Sequence, residues 1–147
     1  MDTTMEFGLS DERIIENMRG LAAIHILSRE DDSPLAPLMC EGRRELLANT
    51  VRDAFVESVT SLPAAVIDLD IDRLRLTLAV GRALGTDRLL AVARTLEQLV
   101  SARAMSMWCR LSGLEREGSS FDSLAENWRK RLRALLTPRG FIREAVV

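Results

Sequence analysis

The amino-acid sequence predicts an all-α fold, a bundle of about five helices with one long central helix and a proline linker after the first helix. Apolar residues recur at three- and four-residue spacing through most of the chain, which is typical of helices that bury one face. Prolines and glycines fall mostly between these segments. The 147 residues, 47% apolar and 29% charged, indicate a single domain over residues 1–147.

The first two helices are predicted on either side of the proline linker. Ser10 can accept a hydrogen bond from an unpaired backbone N–H, so the first helix should begin there and run to about residue 29. Two prolines in segment 30–37 exclude continued helix. A second helix is predicted over residues 38–62, with one buried face formed by Leu47, Val51, Ala54, Phe55, Val59 and Leu62.

Segment 66–80 is ambiguous, because apolar and polar residues alternate along it as they do in strands. A two-residue hairpin turn at Asp72 and Arg73 would lack the Gly or Asn that such turns need for positive φ. We therefore expect a helix over residues 70–84, ended by Gly85, and keep a β-hairpin as the alternative.

The longest predicted helix runs from residue 86 to about residue 117. Its length exceeds what a domain of this size needs for its own core, so part of it is expected to pack against another chain. A break is predicted at residues 118–120, followed by a last helix over 121–136. Both chain ends, residues 1–9 and 138–147, are expected to be flexible.

Charge is divided along the chain. Up to Asp87 there are 16 acidic residues and 9 arginines, a balance of −7, whereas from Arg88 onward the balance is +5. A chain with its positive charge at one end offers that end to phosphate, to anionic lipid or to the acidic end of another copy. We therefore expect a homodimer.

No motif in the sequence indicates catalysis or a cofactor. Asp68, Asp70 and Asp72 resemble the start of a calcium loop, but Arg73 and Ala79 stand where the loop needs Gly and Glu. The three acids are better explained as helix-start, solvent-facing residues. We expect a non-enzymatic protein with no cofactor and no metal.

Three further features indicate a cytoplasmic protein without a membrane span. Cys40 and Cys109 have no CxxC spacing and no histidine cluster beside them, which predicts two free buried thiols. The N-terminus is acidic where a signal peptide would be basic. Arginines interrupt every apolar run before it reaches the length of a membrane span.

The last helix has the pattern of a basic amphipathic helix, with Phe121, Leu124 and Trp128 on its apolar face. Our leading hypothesis is a regulatory or adaptor protein that binds another macromolecule, an unidentified protein partner, through Arg129, Lys130, Arg131 and Arg133. The simpler alternative is core packing by the apolar face with a solvated basic rim.

Two other functions are considered. Residues 78–92 have the layout of a helix-turn-helix around Gly85, which would make the protein a DNA-binding regulator with Arg82, Arg88 and Arg94 as contacts. An ordinary helix corner explains the same pattern. A cavity lined by Met105, Met107 and Trp108 could instead bind a small apolar ligand, although these side chains equally suit a core.

Overall fold

The computed structural model of the protein describes residues 3–27, 44–62, 65–80 and 85–136. These residues form four helices and three strands in the order β1 (Thr3–Gly8), α1 (Asp11–Leu27), α2 (Arg44–Thr60), β2 (Ala65–Asp70), β3 (Arg75–Val80), α3 (Thr86–Leu111) and α4 (Glu115–Leu136). The prediction of an all-α bundle of about five helices is wrong, because the mostly helical structure also contains a small sheet. The predicted linker over 30–37 and the predicted flexible end over 138–147 lie outside the described residues.

The sheet is antiparallel and has the order β1-β3-β2, so β3 is its central strand. β1 pairs with β3 along its whole length, from Thr3 opposite Val80 to Gly8 opposite Arg75. The chain start over residues 1–9, expected to be flexible, therefore supplies an edge strand. Its partner β3 lies far along the sequence, so no local sequence pattern predicts β1.

The helix predicted over residues 70–84 is wrong, and the hairpin alternative is correct. β2 and β3 are joined by a turn over Ile71–Leu74 rather than by the two-residue turn we considered. Leu74 takes the left-handed conformation that glycine usually takes, with φ +54°. The Asp70 carboxylate accepts a hydrogen bond from the Arg73 backbone N–H at 3.2 Å and stabilises the turn.

The core lies around α3, against which α1, α2 and α4 all pack. Most of the face predicted for α2 is confirmed, because Leu47, Val51, Ala54, Phe55 and Val59 are buried. Leu62, predicted on the same face, lies beyond the end of α2 and is only partly buried. The core-facing side of β3 adds Leu76, Leu78 and Val80. α1 begins as predicted, with the Ser10 hydroxyl accepting a hydrogen bond from the Arg13 backbone N–H at 3.2 Å.

The boundary between the last two helices differs from the prediction. α3 ends at Leu111, and Gly113 turns the chain with φ +78°, as glycine commonly does after a helix. α4 then includes the predicted break at 118–120. At Gly118 the two helices approach closely, since a Cβ there would lie 3.1 Å from Arg110 Cγ. Tertiary packing thus outweighs the weak helix propensity of this segment.

Candidate macromolecule-binding surfaces

The basic C-terminal half of α4 is carried on a firmly attached helix. At the start of α4, the Glu115 carboxylate lies 3.8 Å from Arg110 Nε. Two turns further on, Asp122 accepts hydrogen bonds from the Ser106 hydroxyl at 2.6 Å and from the Arg110 guanidinium. Near its end, Arg88 Nε donates to the Leu135 carbonyl at 2.8 Å. A cation at the C-terminus of a helix also interacts favourably with the helix dipole. Both ends of α4 are therefore tied to α3.

We call Arg129, Lys130, Arg131 and Arg133 the basic rim. The side chain of Lys130 is exposed, and so are those of Arg131 and Arg133. Arg129 is half-buried and forms a bidentate pair with Glu126, one turn earlier. This hydrogen bonding raises the pKa of Arg129 and lowers that of Glu126. The basic rim thus holds one internally paired arginine and three exposed cations.

An apolar flank accompanies the basic rim along α4. Phe121, Leu124, Trp128 and Leu135 are only partly buried against the core. The guanidinium of Arg131 lies over the Trp128 ring, 4.9 Å from its centroid, within the range of a cation–π interaction. A small cavity of about 80 Å³ separates the rim from the end of α2, lined by Ser61, Leu62, Arg129, Leu132 and Arg133. The predicted apolar face is therefore partly core and partly accessible.

A second exposed surface lies on β2, a strand at one edge of the sheet. Within the described residues β2 pairs with β3 alone, and its other edge has no strand beside it. Val66 is 38% exposed, Ile67 57% and Ile71 39%. These are three of the seven large apolar side chains that are exposed in the described part of the chain. We call Val66, Ile67, Ile71 and the neighbouring Asp68, Asp70 and Asp72 the β2 edge.

The carboxylates of the β2 edge are weakly matched. Arg52 Nε lies 3.8 Å from Asp72, and Arg73 Nε lies 3.9 Å from Asp70. Such exposed, long contacts contribute little to stability. The Asp68 carboxylate accepts a hydrogen bond from the adjacent Leu69 backbone N–H at 3.0 Å. The three acids lie in a strand and turn, not at a helix start, but they face solvent as predicted.

Among the described residues, one carboxylate is buried and serves the fold. Glu97 on α3 is 1% exposed. It accepts from the Ser10 backbone N–H at 2.7 Å and from Nε and Nη2 of Arg13 at 3.0 Å each. The hydrogen bonding to Glu97 first, and the charge of Glu97 second, raise the pKa of Arg13. Glu97 thereby fixes the start of α1 against the middle of α3, an ion pair that the sequence analysis did not predict.

The predicted DNA-binding corner does not have the required geometry. Residues 78–80 belong to β3, so they do not form the first helix of a helix-turn-helix. Gly85 is an extended residue before α3, with φ −67° and ψ 162°. Arg88 contacts the end of α4, Arg94 is exposed, and Arg82 lies outside the described residues.

The residues predicted to line an apolar ligand pocket belong largely to the core. Met105 and Trp108 are buried, and Met107 is half-buried against the core. Cys109 beside them is a buried free thiol, as predicted. Burial first, and the charge of Glu117 second, raise its pKa to about 11. Cys40 lies outside the described residues.

A shallow groove of about 520 Å³ lies beside β1 and is lined by Gly8, Leu9, Ser10, Arg13, Arg73 and Arg75. Its arginines all have carboxylate neighbours: Glu97 for Arg13, Asp70 for Arg73, and Glu6 for Arg75 at 3.4 Å. The groove is therefore not strongly basic, despite its three guanidinium groups.

Within the described segments, no group of His, Cys, Asp and Glu side chains could hold a metal ion. None of the helices there is both long and apolar enough to cross a membrane. Comparison with known protein families, with curated protein sequences and with solved structures finds no match to this chain.

Proposed function

We propose that this protein is a non-enzymatic regulatory or adaptor protein that binds another macromolecule through the basic rim of α4. The observation that carries the proposal is the exposure of Lys130, Arg131 and Arg133 on a helix fixed at both ends. Because the helix is already held in place, binding there orders little additional backbone, which reduces the entropic cost of association.

The chemistry of the surface favours a protein partner with acidic groups. Arginine and tryptophan are enriched among the residues that contribute most to protein–protein affinity, and here Arg131 and Trp128 are stacked on each other. The half-buried Phe121 and Leu124 extend the apolar area along the same helix. Charged residues around an apolar centre are typical of a specific protein interface.

We further propose that the protein acts in the cytoplasm as a homodimer. The buried free thiol of Cys109 suits a reducing compartment. The division of charge, with a balance of −7 up to Asp87 and +5 beyond it, supports association between unlike surfaces of two copies.

The test compares three forms of the protein in extract of its own cells. Tagged wild type, the rim variant Lys130→Gln/Arg131→Gln and the control variant Arg94→Gln/Arg116→Gln are each cross-linked, and the captured proteins are quantified by mass spectrometry. The two variants lose the same charge from exposed positions on α3 and α4. We expect at least one partner to be reduced about tenfold or more with the rim variant and retained with the control.

Capture of the same proteins by all three forms would overturn the proposal, as would capture of none. A labelled DNA duplex provides the other arm. Binding that weakens steeply with salt and is lost in the control variant would indicate a nucleic-acid-binding protein instead.

A further inference from the structure

We propose that the acidic surface recognised by the basic rim is the β2 edge of a second copy of this chain. The inference rests on the proposed role of the basic rim and names one partner for it. The two surfaces differ in kind, so each copy offers one of each. Copies joined in this way form a closed dimer where the contact is two-fold, and a larger ring or an open filament where it is not.

The β2 edge is the one place among the described residues where exposed large apolar side chains cluster in the sequence. Val66, Ile67 and Ile71 expose apolar side chains within six consecutive positions. Beyond its pairing with β3, β2 has little packing of its own, since no helix covers it extensively. Clustered apolar exposure of this kind marks interaction sites in soluble proteins.

The edge is not suited to pairing with another strand. The register of β2 shifts between Val66 and Asp68, so Ile67 is an extra residue in a β-bulge. Bulges and charged side chains are features that prevent edge-to-edge pairing. Two β2 edges placed side by side would also bring Asp68 and Asp70 of both copies together, which like-charge repulsion opposes.

The charges instead fit a helix that carries cations. From Ala65 to Asp72 the chain has three acids and no base, and the guanidinium contacts of Arg73 to Asp70 and of Arg52 to Asp72 are 3.8 Å or longer. From Arg129 to Arg133 the chain has four bases and no acid. Both surfaces place apolar side chains beside these charges, so the contact would combine charge pairing with apolar burial.

The test uses charge reversal in both surfaces and sedimentation velocity over a range of protein concentrations. The edge variant is Asp68→Lys/Asp72→Lys, and the rim variant is Lys130→Glu/Arg131→Glu. Asp70 is left intact because it stabilises the turn. A control variant, Glu16→Lys/Glu45→Lys, carries the charge change of the edge variant at exposed positions on α1 and α2.

We expect wild type and control to self-associate, less so at high salt, and each reversed variant alone to associate at least about tenfold more weakly. The equimolar mixture of the two reversed variants should recover association, because every edge then meets a rim of opposite charge. Recovery also shows that both variants are folded. A fourth variant, Ile67→Ser, should weaken association without changing its dependence on salt.

Monomeric wild type, or a mixture that stays monomeric although both variants unfold cooperatively, would overturn the inference. If rim-dependent partners are still captured from extract in that case, the proposed function stands without this partner. If rim-dependent capture is also absent, both proposals fail together.

Discussion

Two regions of the molecule bring guanidinium and carboxylate groups together with opposite results. At the α1–α3 contact, buried Glu97 receives three hydrogen bonds of 2.7–3.0 Å from Arg13 and Ser10. At the β2 edge, Arg52 lies 3.8 Å from the Asp72 side chain, which is 90% exposed. Burial makes the first carboxylate part of the fold, because removing a buried partner leaves polar groups unpaired. Exposure leaves the second carboxylate available to another molecule.

The contrast between the buried core and the exposed β2 edge is tested most directly by two side chains that lie opposite each other on β2 and β3. Leu78 on β3 is buried, whereas Val66 opposite it on β2 is partly exposed. Leu78→Ala should lower the free energy of unfolding by about 2–5 kcal/mol, because it leaves a cavity in the core. Val66→Ala should cost less than about 1 kcal/mol. Urea unfolding measures both, and equal losses would show that β2 is as much part of the core as β3.

Replacement of the buried carboxylate should have the next largest effect. Glu97→Ala removes the acceptor of the Ser10 N–H and of Arg13, so we expect a loss of about 2–3 kcal/mol in unfolding free energy. Glu97→Gln, which keeps the volume, should cost less. If Glu97→Ala unfolds at the urea concentration of wild type, the α1–α3 contact does not depend on this ion pair.

The thiol of Cys109 reports on the interior of α3. With its pKa raised to about 11, it should react with iodoacetamide at mildly alkaline pH at least about tenfold more slowly than in urea. Peptide mapping separates it from Cys40. The folded thiol keeps its proton where the unfolded thiol has lost it, so its contribution to stability should fall as pH rises from about 8.5 towards the folded value. A Cys109→Ala variant should lack this component, and an identical pH dependence would contradict the assignment.

The smallest effect is expected at the exposed ion pair. Asp72→Asn should change the unfolding free energy by less than about 0.5 kcal/mol, and the difference should shrink further as salt is added. Arg52→Gln is the matched change on the other side of the pair. A loss above about 1 kcal/mol in either variant would mean that the β2 edge is stabilised internally and is not kept for a partner.

The helices and the basic rim could be predicted from local patterns, and the sheet could not. The spacing of Leu47, Val51 and Phe55 identifies a buried helical face without knowledge of its neighbours. The strand alternation over 66–80 was visible, but Leu74 adopts a positive φ that we assigned only to glycine or asparagine. β1 depends on pairing with β3, and this long-range contact leaves no local signal.

Of the two candidate surfaces, the basic rim could likewise be predicted from the sequence, and the β2 edge could not. The four cations of the basic rim lie within five consecutive positions of the sequence, so their grouping needs no tertiary information. The β2 edge becomes a surface only because the strand lies at the outside of the sheet. Glu97 and Arg13 are far apart in the sequence, and only the packing of α1 on α3 brings them together.

The pairing of β1 with β3 affects the order in which the chain folds. Phe7 lies opposite Leu76, so β1 can join the sheet only after β3, which is made much later, has emerged from the ribosome. Closing so long a loop costs conformational entropy before any strand contact is gained. We therefore expect the helices to pack together first and β1 to pair with β3 late in folding.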